Sequence, residues 1–144
     1  MASGGGTLLG FDYGRRRIGV AVGNTLTRRA RPLLTLAATD AGPDWARIAA
    51  LLAEWQPTRL VVGVPYNDAA PGAEIAAEAQ RFARRLHGRF LLPVDTLDEQ
   101  LSSVAAHDTL KAARQAGRRG TIGKEDIDSA AAAVILQDWF DNHS

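Results

Sequence analysis

LLGFDYGRRRIGVAVG, residues Leu8 to Gly23, places a carboxylate in an apolar strand and follows it at once with a glycine and three arginines. With a side-chain period of two, Leu9, Phe11 and Tyr13 share one face of this strand, and Leu8, Gly10 and Asp12 share the other. Gly14 and Arg15–Arg17 form a turn into a second strand, Ile18 to Val22, which makes the stretch an antiparallel hairpin. Gly19 and Ala21 leave one face of that second strand almost without bulk, which suits either a closely approaching element or ordinary tight packing. Asp12 demands a reason: a strand interior offers it neither a helix cap nor easy water. A buried charge is normally paired, metal-bound or neutralised.

Outward from the hairpin, Leu33 to Ala37 reads as a third strand. In PDWARIAALLAEWQP the apolar Trp45, Ile48, Ala49, Leu52 and Trp55 fall at helical spacing, with Pro43 near the start and Pro57 just past the end. Leu60 to Val64 is a continuous apolar run, as expected of a strand buried on both faces. A second helix is expected from about Ala73 to His87, stopped by Gly88, and a strand at Phe90 to Val94, kept near an edge by Pro93. Further helices are expected over Ser102 to Gln115 and Ile127 to Phe140, separated by the glycine-rich basic loop GRRGTIGKED. Three strands followed by alternating helices and strands imply an α/β sheet that begins antiparallel and grows by parallel additions.

The 144 residues, 46% hydrophobic, suffice for one sizeable core, so a flexible tail over 1–7 and a single domain over 8–141 are expected. Zero cysteines exclude a disulfide scaffold and a thiolate metal site. No apolar run reaches membrane-spanning length and MASGGGTLL lacks the pattern of a signal peptide, so no membrane partner and a cytoplasmic location are expected. The net charge is +1, yet arginines gather at 15–17, 28–31, 81–89 and 114–119. Their planar forks suit phosphate, although any one cluster can equally be a solvated face.

The three histidines have no zinc-like spacing, no serine occupies a nucleophile elbow, and in GRRGTIGKED Lys124 is followed by Glu125 where a phosphate loop needs a hydroxyl. Acids are left. Asp12 is on the first strand, Asp98 and Glu99 lie just beyond the last, and Asp126 and Asp128 stand at the start of the final helix. Asp126 reads most simply as an N-cap, Asp128 as a helix-dipole partner, Asp98 as a loop acid and Glu99 as half of a surface pair. Should carboxylates from such distant segments converge, a hard divalent cation would relieve their repulsion.

GFDYGRRRIGVAVG, VVGVP, DEQLSS and DIDSAAAAVIL, in this order and spacing, resemble the bacterial pre-16S rRNA nuclease family, also described as Holliday-junction-resolvase-like, of ribonuclease H-like fold. The resemblance runs from about Leu8 to Phe140. It implies a five-stranded mixed sheet with helices on both faces and a metal-dependent phosphodiesterase site, with Asp12, Glu99 and Asp128 as catalytic, metal-ligating acids. Two Mg²⁺ (or Mn²⁺) ions, roughly 4 Å apart, would serve it. Gln100 departs from the arginine common in that family, which removes a charge from a candidate phosphate contact.

The implied substrate is nucleic acid, touched by Arg15, Arg16, Arg17, Arg118, Arg119 and Lys124, with Asn67 and Gln100 as further contacts. Aromatics are few, and Trp45 and Trp55 read as core, so no base-stacking platform is visible. Processing of precursor ribosomal RNA is the favoured function, with a ribosomal precursor particle as a candidate partner. Cleavage of branched DNA and a transcription-associated binding role with weak catalysis are the alternatives. The actin-like sugar kinases share a related strand–turn–strand phosphate motif but need two such domains. The oligomeric state is open.

Overall fold

Strand β1, Thr7–Asp12, is apolar on both faces because both are covered; it lies inside the sheet, with β2 (Arg17–Asn24) antiparallel on one side and β5 (Arg59–Val64) parallel on the other. The computed structural model describes residues 6–39, 42–64, 70–98 and 124–142. Beyond β2 lies antiparallel β3 (Arg29–Thr39), and beyond β5 lies parallel β6 (Val94–Asp98). Five strands are expected, and β1, β2, β3 and β5 overlap the expected stretches. A two-residue β4, Gly42–Pro43, pairs with the end of β3 and brings the order to β4-β3-β2-β1-β5-β6.

Helices cover both faces, as their apolar stripes require. On one side, α1 (Trp45–Trp55) and α2 (Ala70–Phe90) set Ile48, Leu52, Phe82 and Leu86 against Leu9, Phe11, Val20 and Val62. On the other, α3 (Lys124–Asn142) sets Ala132, Ile135, Leu136 and Phe140 against Leu8, Ala21 and Val61. Hydrogen bonds tie down its far end. Trp139 Nε1 donates to Asp95 Oδ2 at 2.8 Å, and Gln137 accepts from Ala30 N at 3.0 Å while donating to Arg28 O at 2.9 Å. No helix among the described residues is long and apolar enough to cross a membrane.

The first helix matches its expected span: Asp44 caps it by accepting from Arg47 N at 3.2 Å, and Gln56 ends it in the left-handed region, φ 46°. The last strand does not match. Phe90 to Val94 was expected to be extended, but α2 runs through the exposed Gly88 to Phe90 and stops only at Leu91, whose φ is 59°. The strand starts after Pro93, and the polar-looking VDTLD forms it, because β6 is an edge strand and tolerates polar residues.

The third strand is longer than expected. Pro32 pairs with Ala21 at a register shift between Val20 and Ala21, so a bulge absorbs the missing N–H and lets β3 continue. At the start of the chain, β1 takes in Thr7, read from sequence as tail, and Gly6 N donates to Thr25 Oγ1 at 2.7 Å. The expected helix over Ser102 to Gln115 and residues 117–123 of the expected loop lie outside the described residues, and the loop's last three residues belong to α3.

Candidate active site

Asp12 closes β1 and is half-buried, so it stands at the end of a strand rather than in its interior. Its register partners are Gly19 on β2 and Gly63 on β5. Gly10, two residues earlier, faces α3: a side chain there would meet Leu136 Cβ at 2.9 Å and Ala132 O at 3.3 Å. By alternation Asp12 is on that same face, flanked in its row by two residues without side chains.

Both glycines are needed because α3 comes down onto this row. A Cβ on Gly19 would collide with the carbonyl of Asp128, and one on Gly63 with the Ile135 side chain. Of the two readings of the bare face at Gly19, close approach by the last helix is the one observed. The helix begins at Lys124, earlier than expected, so Asp126 lies within its first turn and is not its N-cap. Asp128, one turn before Ala132, therefore stands with its backbone carbonyl over Gly19, the residue that pairs with Asp12 across the hairpin.

Arg17, at the start of β2, donates from Nε to Asp128 Oδ2 at 2.6 Å, with both side chains partly exposed. It is thus a candidate phosphate contact that is bonded to one of the candidate acids. A cleft of about 450 Å³ lined by Arg17, Thr35, Arg47 and Ser129 opens beside it. Ser129 is 6% exposed, the one buried polar side chain found among the described residues.

Arg15 points elsewhere. Its guanidinium grips Glu78 of α2 through Nε at 2.9 Å and Nη2 at 2.6 Å, and Tyr13 Oη donates to the other oxygen of Glu78 at 3.4 Å. The Arg15 hydrogen bond holds the Glu78 carboxyl below its ordinary pKa, while burial, then Glu78, pushes the Tyr13 phenol up. A carboxyl with a depressed folded-state pKa adds stability above its unfolded pKa, about 4.3, and loses it as pH falls through the folded value. The parent is therefore expected to exceed Glu78→Gln by about 0.2–1 kcal/mol at neutral pH, the range of exposed ion pairs. In urea melts recorded from pH 7 to 3 that difference should shrink as pH falls below about 4.3.

Arg16 is exposed, and its backbone carbonyl accepts from Ala38 N at 2.9 Å. Glu99, Asn67, Gln100, Arg118 and Arg119 lie outside the described residues, and Lys124 opens α3. Asp98 ends β6 paired with Val64, one step beyond the row of Asp12. Among the described residues no group of three or more potential metal ligands occurs.

A curled mixed sheet begun by an antiparallel hairpin, flanked by helices on both faces and carrying an acid at the end of its first strand, defines a ribonuclease H-like α/β protein of the resolvase type. The chain resembles the structure of Thermus thermophilus RuvC in complex with Holliday junction substrate, with TM-score 0.60, 17% identity and 95% of each chain covered. It also resembles the fowlpox virus Holliday junction resolvase, with TM-score 0.54, 12% identity and coverage of 96% and 99%. The chain belongs to the RuvX family, described as Holliday junction resolvase, which it matches over residues 6–142. Among its relatives are proteins named "Putative pre-16S rRNA nuclease" from Pseudomonas putida, 48% identical over 93% of this chain and 94% of that one, and from Azotobacter vinelandii, 48% identical over 95% and 94%.

Proposed function

We propose that this protein is a metal-dependent nuclease that hydrolyses phosphodiester bonds in precursor ribosomal RNA, at the 5′ end of pre-16S rRNA. The placement of Asp128 over Gly19, beside Asp12 on the same sheet face, is the observation that supports this most. Packing of the last helix on the bare glycine row thus brings an acid from a distant part of the chain to the half-exposed end of the first strand. The relatives named as pre-16S rRNA nucleases supply the substrate.

The residues present suit a hard divalent cation such as Mg²⁺ or Mn²⁺: carboxylate oxygens in a partly solvated position, with nitrogen and sulfur donors absent from the pair. Asp12, Asp128 and Glu99 would hold one or two ions, which when bound would lower the pKa of water and steady the leaving oxygen. Arg17 orients Asp128 by occupying one of its oxygens and places a second cation where a phosphate would arrive. Arg16, exposed on the hairpin turn, adds an electrostatic contact that positions the strand without reading its bases. Gln100, with Arg118, Arg119, Lys124 and Asn67, would extend that contact.

A second reading, resolution of branched DNA, is favoured by the family description. Symmetric cutting of a four-way junction would call for a two-fold pair of protomers. Both readings are separated by incubating the chain, with and without Mg²⁺ or Mn²⁺, with a ribosomal RNA precursor and with synthetic junctions in parallel. Cleavage of the RNA that needs the divalent ion and stops with EDTA is the expected result. Cutting of junctions alone would transfer the assignment to the second reading, and binding without cutting under every metal would overturn both.

A further inference from the structure

On the face of the sheet opposite α3, a cleft of about 340 Å³ opens between the hairpin turn, the β3–β4 edge and α2. Its volume is within the range of small-molecule sites, roughly 300–1,000 Å³. The cations are supplied by Arg15 from the turn and by Arg81 and Arg85 from α2; among the described residues of the lining Glu78 is the only acid. Glu78, Arg81 and Arg85 share one stripe of α2 because they are spaced by three and four residues. Glu78 is consumed by its two bonds to Arg15, which fixes that guanidinium at the rim. Arg81 and Arg85 have no ion-pair or hydrogen-bond partner among the described residues.

The opposing wall is aromatic. Tyr13 and Trp45, both half-buried, lean on the buried Phe82 with ring centroids 5.3 and 5.7 Å away, and all three line the cleft. These rings come from β1's end, α1 and α2, so their convergence is a product of the fold. The Arg89 guanidinium lies 4.3 Å over the Trp45 ring, which braces the indole in place.

Two guanidinium groups with no ion-pair or hydrogen-bond partner among the described residues, beside an aromatic cluster, match one ligand chemistry, an anionic phosphate joined to a flat aromatic base. We infer that this cleft binds a nucleoside phosphate unit, with its phosphate on Arg81 and Arg85 and its base against Tyr13 and Trp45. The unit can reach the cleft as a free nucleotide or as one residue of a single strand. The second route is geometrically open, since Tyr13 immediately follows Asp12 and a strand crossing the hairpin turn would connect the two sites. Binding here needs no cleavage, so the inference stands or falls apart from the acid pair.

The test uses the full chain in EDTA, so that nothing is cut. AMP, ribose 5-phosphate and inorganic phosphate are titrated by calorimetry, and a 3′-labelled single-stranded octanucleotide by anisotropy, against the parent and Arg81→Gln/Arg85→Gln. Both arginines are exposed, and an unchanged melting temperature confirms that the variant folds. AMP should bind roughly tenfold tighter than ribose 5-phosphate, as expected when a base stacks. The double variant should lose about tenfold or more in affinity, and for the octanucleotide its slope of log K against log salt should be shallower by about 1.4. Competition between AMP and the octanucleotide identifies a strand as the source, and AMP binding without competition identifies a free nucleotide. Equal binding by parent and variant, or equal affinity for AMP and ribose 5-phosphate, would overturn the inference.

Discussion

Asp12→Asn is expected to abolish divalent-dependent cleavage, by at least about a thousandfold, or roughly 4 kcal/mol of transition-state stabilisation, while leaving the chain folded. Asparagine keeps the shape of the side chain and removes its charge. At a half-buried strand end between Gly19 and Gly63 the shape meets no new obstacle. What is lost is the anionic oxygen donor next to Asp128, and a neutral amide is a poor substitute for a carboxylate toward Mg²⁺. Two readouts make the result specific. Cleavage of the RNA should fall to background, and the rise in melting temperature that Mg²⁺ gives the parent should disappear, because an ion that binds only the native state stabilises it in proportion to its affinity. Asp141→Asn, an exposed acid at the far end of α3, should change neither. A variant at position 12 that cuts as well as the parent would remove this residue from the site.

The fold was legible wherever local pattern and packing agree. The hairpin, α1 and the buried β5 follow from alternation, helical spacing and a closed apolar run, and each occurs where its pattern puts it. Boundaries slipped where tertiary structure overrides a local signal. Gly88 is a plausible helix stop in isolation, but it is exposed on α2 with no atom near a would-be Cβ, so the helix passes through it and ends at Leu91. VDTLD has the polarity of a loop, yet the open edge beside β5 gives its backbone a partner. At the site, Asp12 declared itself because a carboxylate on an apolar strand is anomalous, whereas Asp128 was indistinguishable from an ordinary acid near a helix start. The pairing of Arg15 with Glu78, 63 residues away, had no trace in the sequence. With it, an arginine counted toward the acid site belongs instead to the opposite face of the sheet. Trp45 was likewise read as core and Tyr13 only as one residue of a strand face, since only the fold brings them together with Phe82.

The juxtaposition of Asp12 and Asp128 depends on a residue with no chemistry of its own, which yields the sharpest stability prediction. Gly19→Ala adds one methyl group, and its position is occupied by the Asp128 carbonyl, with Ser129 N 2.9 Å away. Backbone atoms within a helix cannot rotate aside as a flexible side chain would, so α3 must lift from the sheet or β2 must bend. Overpacking of this kind costs typically 1–3 kcal/mol and occasionally more, and an obstacle made of main chain belongs at the upper end, about 3 kcal/mol. The penalty should appear as a lower urea midpoint with an unchanged m-value. Gly88→Ala is the matched control: the same added methyl, in a helix interior with nothing within 4 Å, should stabilise by about 0.5–1 kcal/mol. Because the displaced segment carries Asp128 and its bond to Arg17, Gly19→Ala should also weaken Mg²⁺-dependent stabilisation although it alters no candidate ligand. If Gly19→Ala matched the parent in both measurements, α3 would not rest on this row, and the two acids would lose the contact that holds them side by side.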